Sequence, residues 1–280
     1  MKCTPKVAVL ISTFNGETYI FDQLNSVMKQ SYRNFHIYVR DDGSTDKTVS
    51  LLEKFSRAHP EMVSIYVGAN LGVINSFNDL IADVDSDLYA TCDQDDIWLP
   101  EKIMDQVNLY RHRRLSNNNP FMCFSDPCLY VAGEQTGARL SDIQAMNIDG
   151  LVKNYKNLIA MNPVAGCTML FCDVAKKLYL TSTACGWVMH DHLMAVLVCR
   201  LGELDFCNSK HVLYRQHSAN VVGNKDTSMR YLFSRLKDIR MMIEHDRLLL
   251  NAVDSSDYDK ILHVYRKVIL NLFRFGRLND

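Results

Sequence analysis

The chain has almost no net charge: 31 Lys and Arg against 32 Asp and Glu leave −1 over 280 residues. That balance excludes a nucleic-acid binder relying on a whole-surface basic field. Its 9 cysteines are scattered without a C-x-x-C pair, which argues against a disulfide framework or a zinc knuckle and fits a reducing cytoplasm. No apolar run reaches membrane-spanning length, and the run after Met1-Lys2-Cys3-Thr4-Pro5-Lys6 stops at Ser12-Thr13, too soon for a signal-peptide core. Internal repeats and low-complexity tracts are also missing. What is present is a composition of 48% hydrophobic residues, ample for one large domain or a domain with an appendage.

Val7-Ala8-Val9-Leu10-Ile11 is a continuous run of β-preferring residues, the pattern of a strand buried on both faces of a parallel sheet. Ser12 to Gly16 forms a polar loop. Ile20, Leu24, Val27 and Met28 then recur at helical spacing, with Glu17 expected in the first turn. The grammar repeats. Phe35 to Val39 reads as a strand, Arg40 to Asp46 as a loop, and Thr48 to Ala58 as a helix capped by Thr45 or Thr48. Val63 to Val67 is a third strand, followed by Gly68 to Gly72 and a helix through Phe77, Leu80 and Ile81. Asp87 to Cys92 is a fourth, delivering Asp93, Asp95 and Asp96 before Leu99-Pro100-Glu101 opens a helix to Leu115. Such alternation predicts an α/β fold with a Rossmann-like, doubly wound, mostly parallel sheet. Ligands bind beyond the carboxyl ends of such strands. Thr13, the pair Asp41 and Asp42, and the run Asp93 to Asp96 should therefore converge on one crevice.

The alternation fades after the break at Ser116 to Pro120. Phe121 to Phe124 and Cys128 to Val131 read as strands, while Gly133 to Ile148 has no clear assignment. Asn162 to Phe171 is a loop entering a buried strand. Met189-His190-Asp191-His192 opens an apolar helix through Leu201, with Gly202 as its stop. Phe206 to Tyr214 holds two short strands and runs into Tyr214-Arg215-Gln216-His217. From Thr227 the chain is helical, with Tyr231, Leu232, Leu236, Ile239 and Ile243 at helical spacing and Arg230, Arg235, Lys237 and Arg240 on a basic side. A second helix spans Tyr258 to Phe275.

Several of these groups have two chemical readings. Carboxylates as crowded as Asp93, Asp95 and Asp96 repel unless a cation sits among them, and a hard divalent metal carrying substrate phosphates is a natural occupant. A solvated loop with an N-cap is the other reading, and Asp96 fits the start of the next helix equally well. Asp41 and Asp42 read as ligand carboxylates or as a turn with local side-chain bonds. Asp191 is a general base or an N-cap. Gly166-Cys167-Thr168 is a close backbone approach to a ligand or a tight entry to a core strand.

Seven motifs now stand in order: Ile11-Ser12-Thr13-Phe14-Asn15-Gly16, Asp41-Asp42-Gly43-Ser44-Thr45-Asp46, Asn70-Leu71-Gly72, Cys92-Asp93-Gln94-Asp95-Asp96-Ile97-Trp98, Gly166-Cys167-Thr168, His190-Asp191 and Tyr214-Arg215-Gln216-His217. Across roughly residues 6 to 224 the chain resembles the inverting family 2 glycosyltransferases of GT-A fold. The likeness is greatest to rhamnosyltransferase-like bacterial members that build surface polysaccharides such as O-antigen or capsule. The resemblance implies a GT-A domain over 1–224, with a nucleotide-binding half at 1–115 and an acceptor half at 116–224, and a C-terminal helical extension over 225–280. It implies donor contacts at Thr13, Asn15, Asp41, Asp42, Gly72, Asp93, Arg215 and His217. It assigns Mg²⁺ or Mn²⁺ to Asp95 with Asp93, the acceptor side to Gly166, Cys167 and His190, and the base to Asp191. One departure stands out: relatives often have an aromatic residue after His-Asp, where this chain has His192.

The expected partners are a UDP- or dTDP-sugar and a glycan or lipid-linked glycan, with no nucleic acid; the sequence does not define an oligomeric state. The expected location is cytoplasmic. The C-terminal helices either pack on the domain or make a peripheral contact with the inner face of the plasma membrane. Three rivals were weighed. A phosphoacceptor receiver would carry its acidic pair after the first strand, where this chain has Ser12-Thr13, and would be far shorter. A sugar nucleotidyltransferase would have a Gly-rich, Arg-containing loop there. A catalytically inactive glycan- or nucleotide-binding relative would be separated from an enzyme only by turnover.

Overall fold

The first apolar run forms strand β1 (Val7–Thr13), and Val7 to Ile11 are fully buried. They are enclosed because β1 pairs on both edges, parallel to β2 (Phe35–Asp41) on one side and to β4 (Leu88–Cys92) on the other. Strand β3 (Val63–Val67) extends the sheet beyond β2. Helices α1 (Ile20–Met28), α2 (Thr48–Ala58) and α3 (Gly72–Asp83) connect these strands, and their inward residues, among them Leu24, Leu52 and Phe77, enter the same core. The computed structural model describes residues 4–113, 119–144, 146–217 and 239–253.

The sheet has 7 strands in the order β10-β6-β9-β4-β1-β2-β3. In the second half of the chain, β6 (Phe121–Ser125) and β10 (Glu203–Cys207) are parallel to each other. The short β9 (Leu170–Cys172) is the exception, antiparallel to both β4 and β6. A 4-stranded sheet, β5-β11-β7-β8, stands apart. It contains β5 (Ile97–Trp98), β7 (Cys128–Val131), β8 (Glu134–Arg139) and β11 (Val212–Arg215). Helices α4 (Lys102–Arg113), α5 (Leu140–Gln144), α6 (Ile148–Leu151), α7 (Tyr155–Ala160), α8 (Asp173–Leu180) and α9 (His190–Leu201) complete the two halves. A helix at Ile239–Ala252 lies against α7 and α9, and its Leu249 and Leu250 join the main core.

The structure corrects several local expectations. Glu17 lies ahead of α1, where its Oε2 accepts the Lys47 N–H at 2.9 Å. Neither Thr45 nor Thr48 caps α2; Asp46 Oδ1 instead accepts the Thr48 N–H at 2.9 Å. The segment Gly133 to Ile148, which alternation left unassigned, contains β8 and α5. Gly202 ends α9 at φ −152°, without the left-handed turn usual for a stop glycine. A side chain is excluded there for a different reason: a Cβ would run into the Pro120 carbonyl oxygen, where β6 begins. The basic positions Arg230, Arg235 and Lys237 and the helix expected over Tyr258 to Phe275 lie outside the described residues.

Candidate active site

The crevice opens at the carboxyl ends of β1, β2 and β4, and its loops are tied together by side chains. Thr13 closes β1 and is buried; its hydroxyl donates to Gln94 Oε1 at 2.7 Å, and the Phe14 N–H reaches the same oxygen at 2.9 Å. Asn15 has φ 47°, a left-handed turn that asparagine tolerates. Its Oδ1 accepts the Thr45 N–H at 2.9 Å, joining the first loop to the second. Asp41 is spent locally: Oδ1 accepts the N–H groups of Gly43 and Ser44 at 3.2 and 2.8 Å, and Oδ2 accepts the Ser44 hydroxyl at 2.6 Å. Asp42 pairs with Arg40 and accepts the N–H groups of Leu71 and Gly72, each at 2.9 Å. Both carboxylates are buried, where charge persists only with such donors. The Asp pair thus sets the shape of the loops that hold Thr13, Asn15 and Gly72.

The acidic loop after β4 contains the electrostatic tension. Asp93, Asp96 and Cys167 bring ligand atoms within 4.8 Å of one another. Burial pushes Asp93 up to about 7, with Asp95 and Asp191 adding repulsion and the Cys167 thiol partly offsetting it. Burial also raises Asp96 well above the carboxylate range, with Asp93 and Asp95 adding to the shift. Asp96 Oδ1 accepts the Arg215 N–H at 3.1 Å, while Oδ2 is buried with no hydrogen-bond partner among the described residues. This overturns Asp96 as the start of the next helix: α4 begins at Lys102, and β5 intervenes. Asp95 repels the same cluster, but its Oδ2 lies 2.8 Å from His217 Nε2. An orphaned carboxylate oxygen among repelling acids fits a divalent cation, held by Asp93 and Asp96 with Asp95 beside them. The cluster differs from the expected Asp95 and Asp93 pair: Asp96 and Cys167 stand in it with Asp93, and Asp95 does not.

Pairing of β5 with β11 brings the second sheet to this loop. Arg215 Nε donates to the Asp95 carbonyl at 2.9 Å, and its guanidinium lies 4.8 Å from the Tyr19 ring centroid. His217 stacks on the same tyrosine at 5.0 Å. Arg215 and His217, about 120 residues from the acids, are thereby held against them.

Asp191 sits in the first turn of α9 and is partly buried. Burial raises it to about 6, while hydrogen bonds from the His192 N–H, the Asn162 side chain and the Gly166 backbone oppose the shift. Thr91 on β4 donates to the Gly166 carbonyl at 2.6 Å, fixing the Gly166–Thr168 turn beside the acidic loop. A Cβ on Gly166 would lie 3.0 Å from His190 Nε2, so the turn and the helix start approach closely only because residue 166 has no side chain. His190 is buried against Phe77, with ring centroids 4.3 Å apart and neither ring nitrogen partnered among the described residues. Burial lowers its pKa to about 3, so it is neutral. His192, one residue beyond Asp191, is turned by the helical rotation toward Leu158, whose carbonyl oxygen is 2.8 Å from Nε2, and its ring lies 4.9 Å from that of His245. The position following His-Asp therefore faces the C-terminal helix.

Gln94 and Phe14 were missed by the sequence reading. Gln94 is the central residue of Asp93-Gln94-Asp95, where its spacing in the motif says nothing about its own partners. Phe14, between two assigned residues, leaves its ring 44% exposed at the crevice lip.

A family model described as Glycosyl transferase family 2 matches residues 8–179. Over 103 residues the chain is 36% identical to a dTDP-rhamnosyl transferase, RfbG, of Shigella flexneri, a match covering 35% of this chain and 36% of that protein. Over 224 residues it is 24% identical to an uncharacterized glycosyltransferase of a Nostoc species, covering 77% of this chain and 66% of the relative. The chain thus spans about a third of the length of the Shigella relative. Among solved structures, S. aureus TarS in complex with UDP-GlcNAc aligns with TM-score 0.57 at 16% identity, covering 89% of this chain and 71% of that one. The mannosyltransferase PcManGT from Pyrobaculum calidifontis, in complex with GDP-Man and Mn²⁺, gives 0.59 at 12%, covering 97% and 81%. These likenesses establish the GT-A fold.

Proposed function

This chain belongs to glycosyl transferase family 2, and from that premise we propose that it moves a sugar from a nucleoside-diphosphate donor to a hydroxyl of a glycan or lipid-linked glycan. Transfer proceeds with inversion at the anomeric carbon and serves bacterial surface polysaccharide synthesis at the inner membrane face. The observation that carries the reading is the meeting of carboxylates from distant segments around one turn: a Cβ on Gly166 would lie 3.8 Å from Asp191 Cβ, and the next residue, Cys167, stands within 4.8 Å of Asp93 and Asp96. A base and a diphosphate site must be this close for one hydroxyl to attack the carbon bonded to the diphosphate. The description of the Shigella relative favours a dTDP-sugar, with a UDP-sugar as the alternative.

As the acceptor oxygen attacks the anomeric carbon, its proton passes to Asp191, and the bond from that carbon to the diphosphate oxygen breaks. A carboxylate near 6 is ionised at neutral pH yet basic enough to take that proton. Asp93 and Asp96, with Asp95, would hold Mg²⁺ or Mn²⁺, which would neutralise charge on the departing nucleoside diphosphate. Arg215 and His217 keep the acidic loop in position, and the Arg215 guanidinium adds positive charge on the leaving-group side. Thr13, Asn15, Asp41, Asp42 and Gly72 shape the donor side, and Gly166, Cys167 and His190 line the acceptor side. The transferase domain of this reading is residues 1–224; of the extension over 225–280, the helix Ile239–Ala252 lies among the described residues.

A panel of UDP-, dTDP- and GDP-sugars, tested with Mn²⁺, is expected to contain a member that raises Tm by mass action. A chain that responds to none is not a transferase of this class. Asp191→Asn is expected to keep that donor response while transfer falls about 10²- to 10⁴-fold; near-normal transfer would remove Asp191 as the base. Exhaustive chelation should abolish both donor affinity and turnover.

A further inference from the structure

Trp187 is the most exposed large apolar side chain among the described residues, at 73%. It is not on a loose loop. The Trp187 N–H donates to the Ala184 carbonyl at 3.1 Å and the Val188 N–H to the same oxygen at 3.2 Å. Cys185 and Val188 form a β-bridge, and Ala184 and Val188 are completely buried. The turn therefore presents the indole from an anchored backbone, so little conformational entropy is left to lose when a partner covers it.

Its position is functional. Three residues separate Trp187 from Asp191, and the same turn runs directly into α9. The neighbouring Gly186 faces α3: a Cβ there would lie 3.7 Å from Asn75 Oδ1 and 3.6 Å from Asn78 Nδ2. Leu71 and Val73, at the start of α3, are 43% and 51% exposed. The turn carrying Trp187 is thus a ledge against α3, directly before the helix bearing the base. The segment Thr181 to Met189 contains no charged residue but three hydroxyl side chains, Thr181, Ser182 and Thr183. The indole face suits a pyranose ring, whose C–H face is apolar, and the amides of Asn75 and Asn78 beside the turn suit its hydroxyl rim. An anionic membrane surface would call for Lys or Arg at this position.

We propose that Trp187 is the stacking platform for the acceptor sugar, holding its ring so that a hydroxyl reaches Asp191. This specificity-determining role rests on the transferase reading above. The full chain has 2 tryptophans, of which Trp98 is buried, so indole N–H signals in an NMR spectrum report the two sites separately. Methyl α-L-rhamnopyranoside, methyl α-D-glucopyranoside and methyl N-acetyl-β-D-glucosaminide are the probes, with phosphatidylglycerol–phosphatidylethanolamine vesicles as the second arm. At least one glycoside is expected to shift the Trp187 signal and leave Trp98 unmoved. Trp187→Ala should weaken that binding about tenfold, and Trp187→Phe should retain most of it.

A response to vesicles without one to any glycoside overturns the proposal and makes the ledge a membrane contact. No response in either arm, or equal binding by Trp187→Ala, overturns it as well. Donor-induced Tm shifts are recorded in parallel on the unmodified chain and both variants. Loss of the shift from the unmodified chain refutes the transferase reading itself. A retained shift with no glycoside response refutes only the platform.

Discussion

Asp96 is completely buried, with one carboxylate oxygen accepting the Arg215 N–H and the other without a hydrogen-bond partner among the described residues, in a cluster with Asp93 and Cys167. Burying charge this way costs stability unless a cation or proton offsets it. Asp96→Asn keeps an oxygen for Arg215 and removes the charge. In the metal-free chain it is expected to raise Tm by about 2–4 °C, the shift that 1 kcal/mol gives in a domain of this size. It should also abolish the Mn²⁺-induced rise, so the cost of the carboxylate is explained by its use. Calorimetry with and without Mn²⁺ checks both outcomes.

The titration of these groups sets a pH signature. Raised carboxylate pKa values mean that the folded state holds protons more tightly than the unfolded chain. Their stability contribution is therefore complete below about 4 and is lost as pH rises through about 6 for Asp191 and 7 for Asp93. A metal competes with those protons, so the Mn²⁺-induced rise in Tm should be larger at pH 8 than at pH 6. Transfer needs Asp191 ionised, which places the acid limb of the kcat/KM profile near pH 6. A profile flat down to pH 4.5 would contradict that assignment.

The elements meet where side chains are missing as much as where they pack. Helix α9 turns into β10 at Gly202, which lies so close to β6 that a Cβ would overlap the Pro120 carbonyl. Gly202→Ala is expected to cost about 3 kcal/mol or more, because the obstacle is backbone and cannot rotate away. Urea unfolding would measure it as a lower midpoint; a cost below about 0.5 kcal/mol would mean that the two strands separate freely. Gly166 is the milder case, because there the neighbour is a side chain, the His190 ring, whose Nε2 lies 3.0 Å from the Cβ position. Alternation of strand and helix was readable from residue 7 to 92 because every strand there serves one parallel sheet; β5, which follows at Ile97–Trp98, pairs in the second sheet instead. After residue 120 the short strands β6, β7 and β9 were still legible as apolar runs, but β8 carries mostly exposed side chains and gives no buried-strand pattern.

At the scale of the molecule, the helix Ile239–Ala252 closes the back of α7 and α9, and His245 meets His192 one residue beyond the base. Leu249 is fully buried in that contact. Leu249→Ala should destabilise the chain by about 2–5 kcal/mol, the range for truncating a core leucine. A near-neutral result by thermal melting would show the helix to be an independent appendage. The sequence by itself determined the parallel α/β scaffold, the crevice at its strand ends and the residue types there, because helical and strand periodicities are local and read within one element. Only the tertiary structure decided that Asp96 joins Asp93 and Cys167 instead of starting a helix, that Asp41 and Asp42 bond to backbone, and that His192 turns away from Asp191. Those outcomes depend on β5 pairing with β11 and on the Gly166 turn docking on β4, contacts between segments roughly 75 to 120 residues apart. No local pattern encodes such distances; they are fixed when packing selects one arrangement of the whole chain.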